Sequence, residues 1–283
     1  MTESERRILH EATRYLLDRE RLVFRDAIRK WRSTGAGTVL DVGCGPGLLS
    51  LWVAQSGYAQ SIDAVEDDPR LLAVAHRTWA SGGVSDAIES HLVGDLCGFQ
   101  PRWEVDLLIH DGLGAWCIRG ESARIAAAYR PFLAPGSSVL PSEMYNTLVA
   151  IEIPALPEAS VHWLFEDTLQ QTRGTELTSP AYAFTQSFEV DYSRPAGVDI
   201  QATAYRDGAV NALRLQSSVL IGGNTVGPWT KIAPPLVLPV EPSVVRRGDA
   251  LVLSISGIPS VEFGGYGQRE VQLRGAVTHT RAL

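Results

Sequence analysis

A run of apolar residues ending in a glycine-punctuated turn limits what this chain can fold into more than any other feature. From Thr38 to Leu49 it reads Thr-Val-Leu-Asp-Val-Gly-Cys-Gly-Pro-Gly-Leu-Leu. Its first five residues suit a buried strand, Gly43, Gly45 and Gly47 suit a tight turn, and a helix is expected directly after. Glycine lets the backbone turn sharply and come within contact distance of a ligand, and a helix N-terminus favours a carboxylate or phosphate. The spacing is not the G-x-G-x-x-G of dinucleotide-binding folds.

Two later features share this logic. A second apolar run, Ser61 to Val65, leads into Glu66, about 20 residues past the glycines, where an acid is placed to accept hydrogen bonds from ribose hydroxyls. Asp95 follows a third run, Ser90 to Val93, and is placed to meet an adenine amino group. A solvated turn is the plainer alternative for each acid. Taken in order, the three features point to a ligand that combines a nucleoside with a carboxylate.

Around these motifs, strand-like runs alternate with helical patterns until about Pro141, the rhythm of a parallel α/β sheet. A fourth strand is expected from Asp106 to His110, and helices from Gly47 to Gln55, Pro69 to Ser81 and Glu121 to Phe132. Glu5 to Trp31 reads as amphipathic helix. Beyond Pro141 the pattern changes to alternating strands, among them Tyr145 to Ile153, Phe188 to Tyr192, Ala212 to Ile221 and Ala250 to Ile255, which suggests a sandwich or barrel.

The formal net charge of -7 over 283 residues argues against a nucleic-acid partner. Cys44, Cys97 and Cys117 are scattered and do not pair as metal ligands, so no metal site is expected. Sparse cysteines and a polar start, Met1 to Arg14, point to the cytoplasm. No apolar run approaches the roughly 20 residues of a membrane helix.

Asp41-Val42-Gly43-Cys44-Gly45-Pro46-Gly47 resembles motif I of class I methyltransferases, and Glu66 and Asp95 resemble the motifs that follow it. The likeness narrows to the protein arginine methyltransferase family. His10 to Ile28 resembles that family's N-terminal helices, and Asp18-Arg19-Glu20-Arg21 its D-x-x-R. Tyr129 to Gly136 followed by Val139-Leu140-Pro141-Ser142 resembles its exit from one domain to the next. Val149 to Glu152 and Gly227 to Lys231 look like landmarks of its barrel. The resemblance spans nearly the whole chain and is strongest from 38 to 152.

It implies an α/β protein: N-terminal helices and a Rossmann-like class I methyltransferase domain over 1–140, then a β-barrel-like substrate domain over 141–283. It implies S-adenosylmethionine as cofactor, bound by Arg21, Asp41, Gly43, Gly45, Gly47, Glu66 and Asp95, with Arg21 meeting the cofactor's carboxylate. Pro141 would be a cis-proline at the boundary. A homodimer is also implied, although the family's dimerisation arm has no clear counterpart between Trp163 and Tyr192.

The acceptor site departs from the family. A guanidinium acceptor needs carboxylates to hold it, and arginine methyltransferases supply two glutamates from the loop after the fourth strand. Here that loop runs from His110 to Ser122 and is one residue longer; Glu121 matches the second glutamate, and Asp111 stands for the first. The family's Thr-His-Trp signature reads Gly227-Pro228-Trp229. One reading is therefore methylation of a guanidino or amino nitrogen on a small molecule, amino acid or peptide, with Asp111 and Glu121 as the clamp. A second is O- or N-methylation of a specialised metabolite, as in natural product biosynthesis, with His110 as base. For His110 the competing reading is a strand-end histidine without chemistry, and for Glu121 an acid favoured by a helix N-terminus. A third is a cofactor-binding partner subunit without activity.

Overall fold

A parallel sheet needs cover on both faces, and the first half of the chain supplies it. The computed structural model describes residues 3–31, 36–118, 121–154, 174–190, 195–258 and 273–279. Five strands, β1 (Thr38–Val42), β2 (Ser61–Glu66), β3 (Glu89–Leu92), β4 (Val105–Ile109) and β5 (Leu133–Leu140), form one sheet in the order β3-β2-β1-β4-β5. Every neighbouring pair in it is parallel. β1 and β4 are buried at all positions, which accounts for their near-continuous apolar sequence. Helices α1 (Glu3–Leu16), α2 (Leu22–Lys30), α3 (Leu48–Ser56), α4 (Pro69–Ser81) and α5 (Ser122–Tyr129) accompany this half. Asp68 caps α4 by accepting the Arg70 N–H at 2.8 Å, and Pro69 suits the first helical turn.

The amphipathic helical stretch expected over Glu5 to Trp31 is divided into α1 and α2. Asp18 breaks it: one carboxylate oxygen accepts the Glu20 N–H at 3.0 Å, and the other pairs with Arg21. A short Asp that captures nearby backbone favours a turn over a continuous helix. The D-x-x-R stretch is thus the corner between α1 and α2.

The second half is antiparallel. Strand β6 (Glu143–Glu152) pairs with β7 (Thr175–Glu176), β8 (Ala181–Ser187) and the long β10 (Gly208–Ile221). β10 also pairs with β11 (Asn224–Val226) and β12 (Leu236–Val245). A three-stranded sheet joins β9 (Gly197–Thr203), β13 (Ala250–Ser256) and β14 (Arg274–His279). Leu213, Leu215, Leu236, Leu238, Leu251 and Leu253 recur at every second position and fill one barrel-like core. The chain bends at 188–190, so the strand expected from Phe188 begins no such element; residues 191 and 192 lie outside the described residues. Of the stretch searched for a dimerisation arm, 163–173 likewise lies outside them.

Leu140–Pro141 is cis, and so is Gly227–Pro228. No helix among the described residues is long and apolar enough to cross a membrane. The architecture is a Rossmann-like α/β sheet followed by a curled antiparallel one.

Candidate functional site

At the C-terminal ends of β1 and β2 lies a cavity of about 910 Å³, roofed by α1 and closed on its far side by α5. That is where ligands bind in open parallel sheets. The turn after β1 makes its floor. Gly43 and Cys44 donate their backbone N–H groups to the Val65 carbonyl at 2.8 and 3.0 Å, which folds the turn onto the tip of β2. Gly45 has φ +53, and a Cβ built there would meet nothing nearer than the Gly43 carbonyl at 3.9 Å, so its open side faces the cavity. Gly47 serves a different purpose. A Cβ there would come within 2.5 Å of Trp79 Nε1, whose N–H donates to the Gly47 carbonyl at 2.9 Å. Its smallness lets α4 approach the turn.

Glu66 is buried beside this floor. Its Oε2 accepts the Gly45 N–H at 2.7 Å, and its Oε1 accepts those of Asp67 and Asp68 at 3.0 Å each. A carboxylate offers about four lone-pair sites, so three are filled and one remains, on Oε2. Burial pushes the Glu66 carboxyl up to about 7, with the backbone N–H groups opposing the rise. Asp41 lies below the floor, outside the cavity lining, and accepts the Ser50 hydroxyl; burial raises it to about 6. Asp95 does line the cavity, half-exposed, with the Cys97 N–H at 3.0 Å and an ion pair to Arg124 occupying its oxygens.

The acceptor loop meets the cavity through Asp111, Gly112 and Glu121. Asp111 Oδ2 accepts the Tyr15 hydroxyl at 2.8 Å and Arg21 Nε–H at 2.7 Å. The Asp111 side chain is 4% exposed, and its Oδ1 has no hydrogen-bond partner. Burial raises the Asp111 carboxyl, and the Arg21 charge restrains that rise. Arg21 is shared between Asp18 and Asp111 and faces a second cavity, not the first. Glu121, at the start of α5, is a largely buried carboxylate raised by burial and held 3.8 Å from Arg124. His110 is not in the lining. Its ring is wholly buried, edge-on to Phe188 at 4.8 Å, with both nitrogens unpartnered and its pKa lowered to about 3 by burial.

Gly43, Gly45, Glu66, Asp95, Asp111 and Glu121 therefore converge on one cavity, while Asp41, Gly47, Arg21 and His110 stand behind its walls. Sequence reasoning missed Glu11 and Tyr15, which line it from one face of α1, and Arg124, three residues after Glu121. The signal was present in their i, i+4 and i, i+3 spacing. Trp116 is an anchor. It is fully buried in the barrel-like core, donates Nε1–H to the Thr147 carbonyl at 3.1 Å and packs edge-on against Phe184.

The cavity fits a nucleoside that bears an amino acid. Gly45 leaves backbone open to close approach, and Glu66 keeps one acceptor site for a ribose hydroxyl. That hydroxyl would favour the ionised form of Glu66 and draw its pKa down. Binding of S-adenosylmethionine near pH 7 is thus expected to release a proton, and to tighten from pH 6 to 8. Calorimetry in buffers of different ionisation enthalpy reads both; a buffer-independent heat would remove Glu66 from the site. The same raised pKa makes the ligand-free fold lose stability as pH climbs through about 7.

The family model described as "Methyltransferase small domain" matches residues 23–109. Ribosomal protein arginine N-methyltransferase rmt3 of Schizosaccharomyces pombe is 33% identical over 131 residues, covering 45% of this chain and 23% of that protein. The probable protein arginine N-methyltransferase 6 of Arabidopsis thaliana is 32% identical over 134 residues, covering 46% and 30%. The matches thus span under a third of these relatives' length. In fold the chain is similar to the Trypanosoma brucei PRMT1 enzyme–prozyme heterotetrameric complex with AdoHcy, with a TM-score of 0.68 at 18% identity, covering 87% of this chain and 88% of that one. Motif, cavity and comparisons agree on a class I methyltransferase build that resembles the protein arginine methyltransferases.

Proposed function

We propose that the chain methylates a guanidino or amino nitrogen of a small molecule, amino acid or peptide, using S-adenosylmethionine bound over 1–140 and an acceptor held between that domain and 141–283. The charge of the cavity carries this reading. Among the described residues that line it, Glu11, Glu66, Asp67, Asp68, Asp95, Asp111 and Glu121 are acids and Arg124 alone is a cation. Such a lining favours a cationic acceptor and opposes a carboxylate one. The arginine methyltransferases among its relatives support the same acceptor chemistry.

S-adenosylmethionine, when bound, would supply an electrophilic methyl on a sulfonium that leaves as a neutral thioether, so the acceptor nitrogen would have to present its lone pair and give up a proton. The protein's part is alignment and exclusion of water. Asp111 Oδ1 and the Glu121 carboxylate hold the acceptor's N–H groups, and an acid of this lining receives the proton. His110 has no role here, being sealed from the cavity. A homodimer belongs to the same reading, supported by the oligomeric Trypanosoma brucei neighbour. So does the cytosol, where the free thiols of Cys44, Cys97 and Cys117 stay reduced.

Glu121→Gln tests the clamp. Loss of one charge-assisted hydrogen bond costs about 1.5–3 kcal/mol, so kcat/KM on arginine or an arginine peptide is expected to fall roughly 10- to 100-fold. Cofactor affinity should stay nearly constant. Undiminished turnover in the variant would sink the carboxylate clamp.

A further inference from the structure

A second cavity, of about 730 Å³, lies on the other side of the α1–α2 corner and shares Glu11 and Tyr15 with the first. The partition is one side chain thick, because Tyr15 and Arg21 both reach through it to Asp111. We propose that this second cavity binds a carboxylate of the acceptor, through Arg19 and Lys231, while the acceptor's cationic end lies against Asp111 and Glu121. The proposal rests on the cationic-acceptor reading above and narrows it to a molecule charged at both ends.

The acids of the second cavity are already engaged. Asp18 pairs with Arg21 and accepts the Glu20 N–H. Glu20 Oε2 accepts the Thr230 hydroxyl at 2.6 Å and the Lys231 N–H at 2.7 Å. Glu11 pairs with Arg7 at 3.0 Å. Arg21 is used by Asp18 and Asp111. Arg14, which also lines the cavity, is engaged as well, so Arg19 and Lys231 are left, both exposed into the cavity and without a carboxylate partner among the described residues. Lys231 is also held in place: buried Thr230 and the Lys231 backbone are both fastened to Glu20, more than 200 residues earlier in the chain. An acidic pocket beside a cationic one, with a shared wall, matches the two ends of a basic amino acid. It equally matches an arginine next to an acidic residue in a peptide, and the shared chemistry is the carboxylate.

Binding would be measured by calorimetry on the full chain saturated with S-adenosylhomocysteine. The probes are L-arginine, agmatine (the same guanidine without the carboxylate), and two end-blocked arginine peptides with and without a neighbouring aspartate. A carboxylate-bearing probe is expected to bind about 10-fold or more tightly than its neutral counterpart. In Arg19→Gln/Lys231→Gln that difference should collapse to parity, with S-adenosylhomocysteine affinity unchanged. A preference for L-arginine alone identifies a free amino acid, and one confined to the aspartate peptide identifies an acidic peptide; either supports the site. Equal binding of each pair by the parent protein would overturn the carboxylate site and leave the cationic-acceptor reading standing, as would a preference that survives the double variant. Failure of every guanidine probe to bind would overturn both.

Discussion

Gly45→Arg is expected to fold and to bind S-adenosylmethionine about 100-fold or more weakly, a loss of roughly 3 kcal/mol. The residue sits at φ +53 with its missing side chain aimed into the cavity. An arginine there occupies the space that the ligand needs. Left-handed backbone costs an L-residue about 1–2 kcal/mol, so a moderate loss of stability should accompany the substitution. Gly45→Ala separates the two effects. It carries the same backbone cost, but its single methyl meets nothing nearer than 3.9 Å, so most of the affinity should survive. Normal cofactor binding by Gly45→Arg would place the cofactor elsewhere.

Trp116→Ala is expected to destabilise the protein by about 3–5 kcal/mol, the usual cost of emptying a large buried aromatic site. Three attachments are involved. The Trp116 N–H reaches Ser217 Oγ at 2.9 Å, the indole N–H reaches the Thr147 carbonyl, and the ring fills the core beside Phe184. The first survives in the variant, and the other two are lost. Trp116 and Cys117 hold φ of 58 and 52, a strained pair that persists only because the buried ring fixes it. Trp116→Gly should therefore lose about 1 kcal/mol less than Trp116→Ala, since glycine adopts that φ without penalty. Chemical denaturation of the three proteins measures this. Because the loop also carries Asp111, acceptor KM should rise in both variants while cofactor affinity holds. An alanine variant as stable as the parent would show that the indole is not the anchor.

The parallel sheet was legible from its first strand onward, because strands buried on both faces read as short apolar runs. β1 and α4 fall where the sequence places them, β2, β3, β4 and α3 shift by a residue, and α5 ends at Tyr129 instead of Phe132. Strands β5, β7, β8, β9, β11, β12 and β14 were not anticipated, since short strands and half-buried ones with polar outer faces give a weaker pattern. The glycine turn could be found but not apportioned. Gly45 faces ligand space while Gly47 accommodates Trp79, and a partner 32 residues away leaves no local mark. The same limit applied to Asp111. Its pairing with Tyr15 and Arg21 spans about 90 residues, so the loop showed a carboxylate without showing that one oxygen was already engaged. His110 ends a strand, and whether such a ring turns to solvent or to core is decided by Phe188 across the fold.

The hold of Glu20 on residues 230 and 231 bears on how the protein is made. The roof of the main cavity belongs to α1, and the corner after α1 is fastened to a loop near the far end of the chain. On the ribosome, the parallel sheet and the bonds of Tyr15 and Arg21 to Asp111 can form as soon as β5 has emerged, but the tie from Glu20 waits for some 90 residues more. A nascent chain therefore passes through a stage in which the roof of the cavity is fastened to the parallel sheet's side alone.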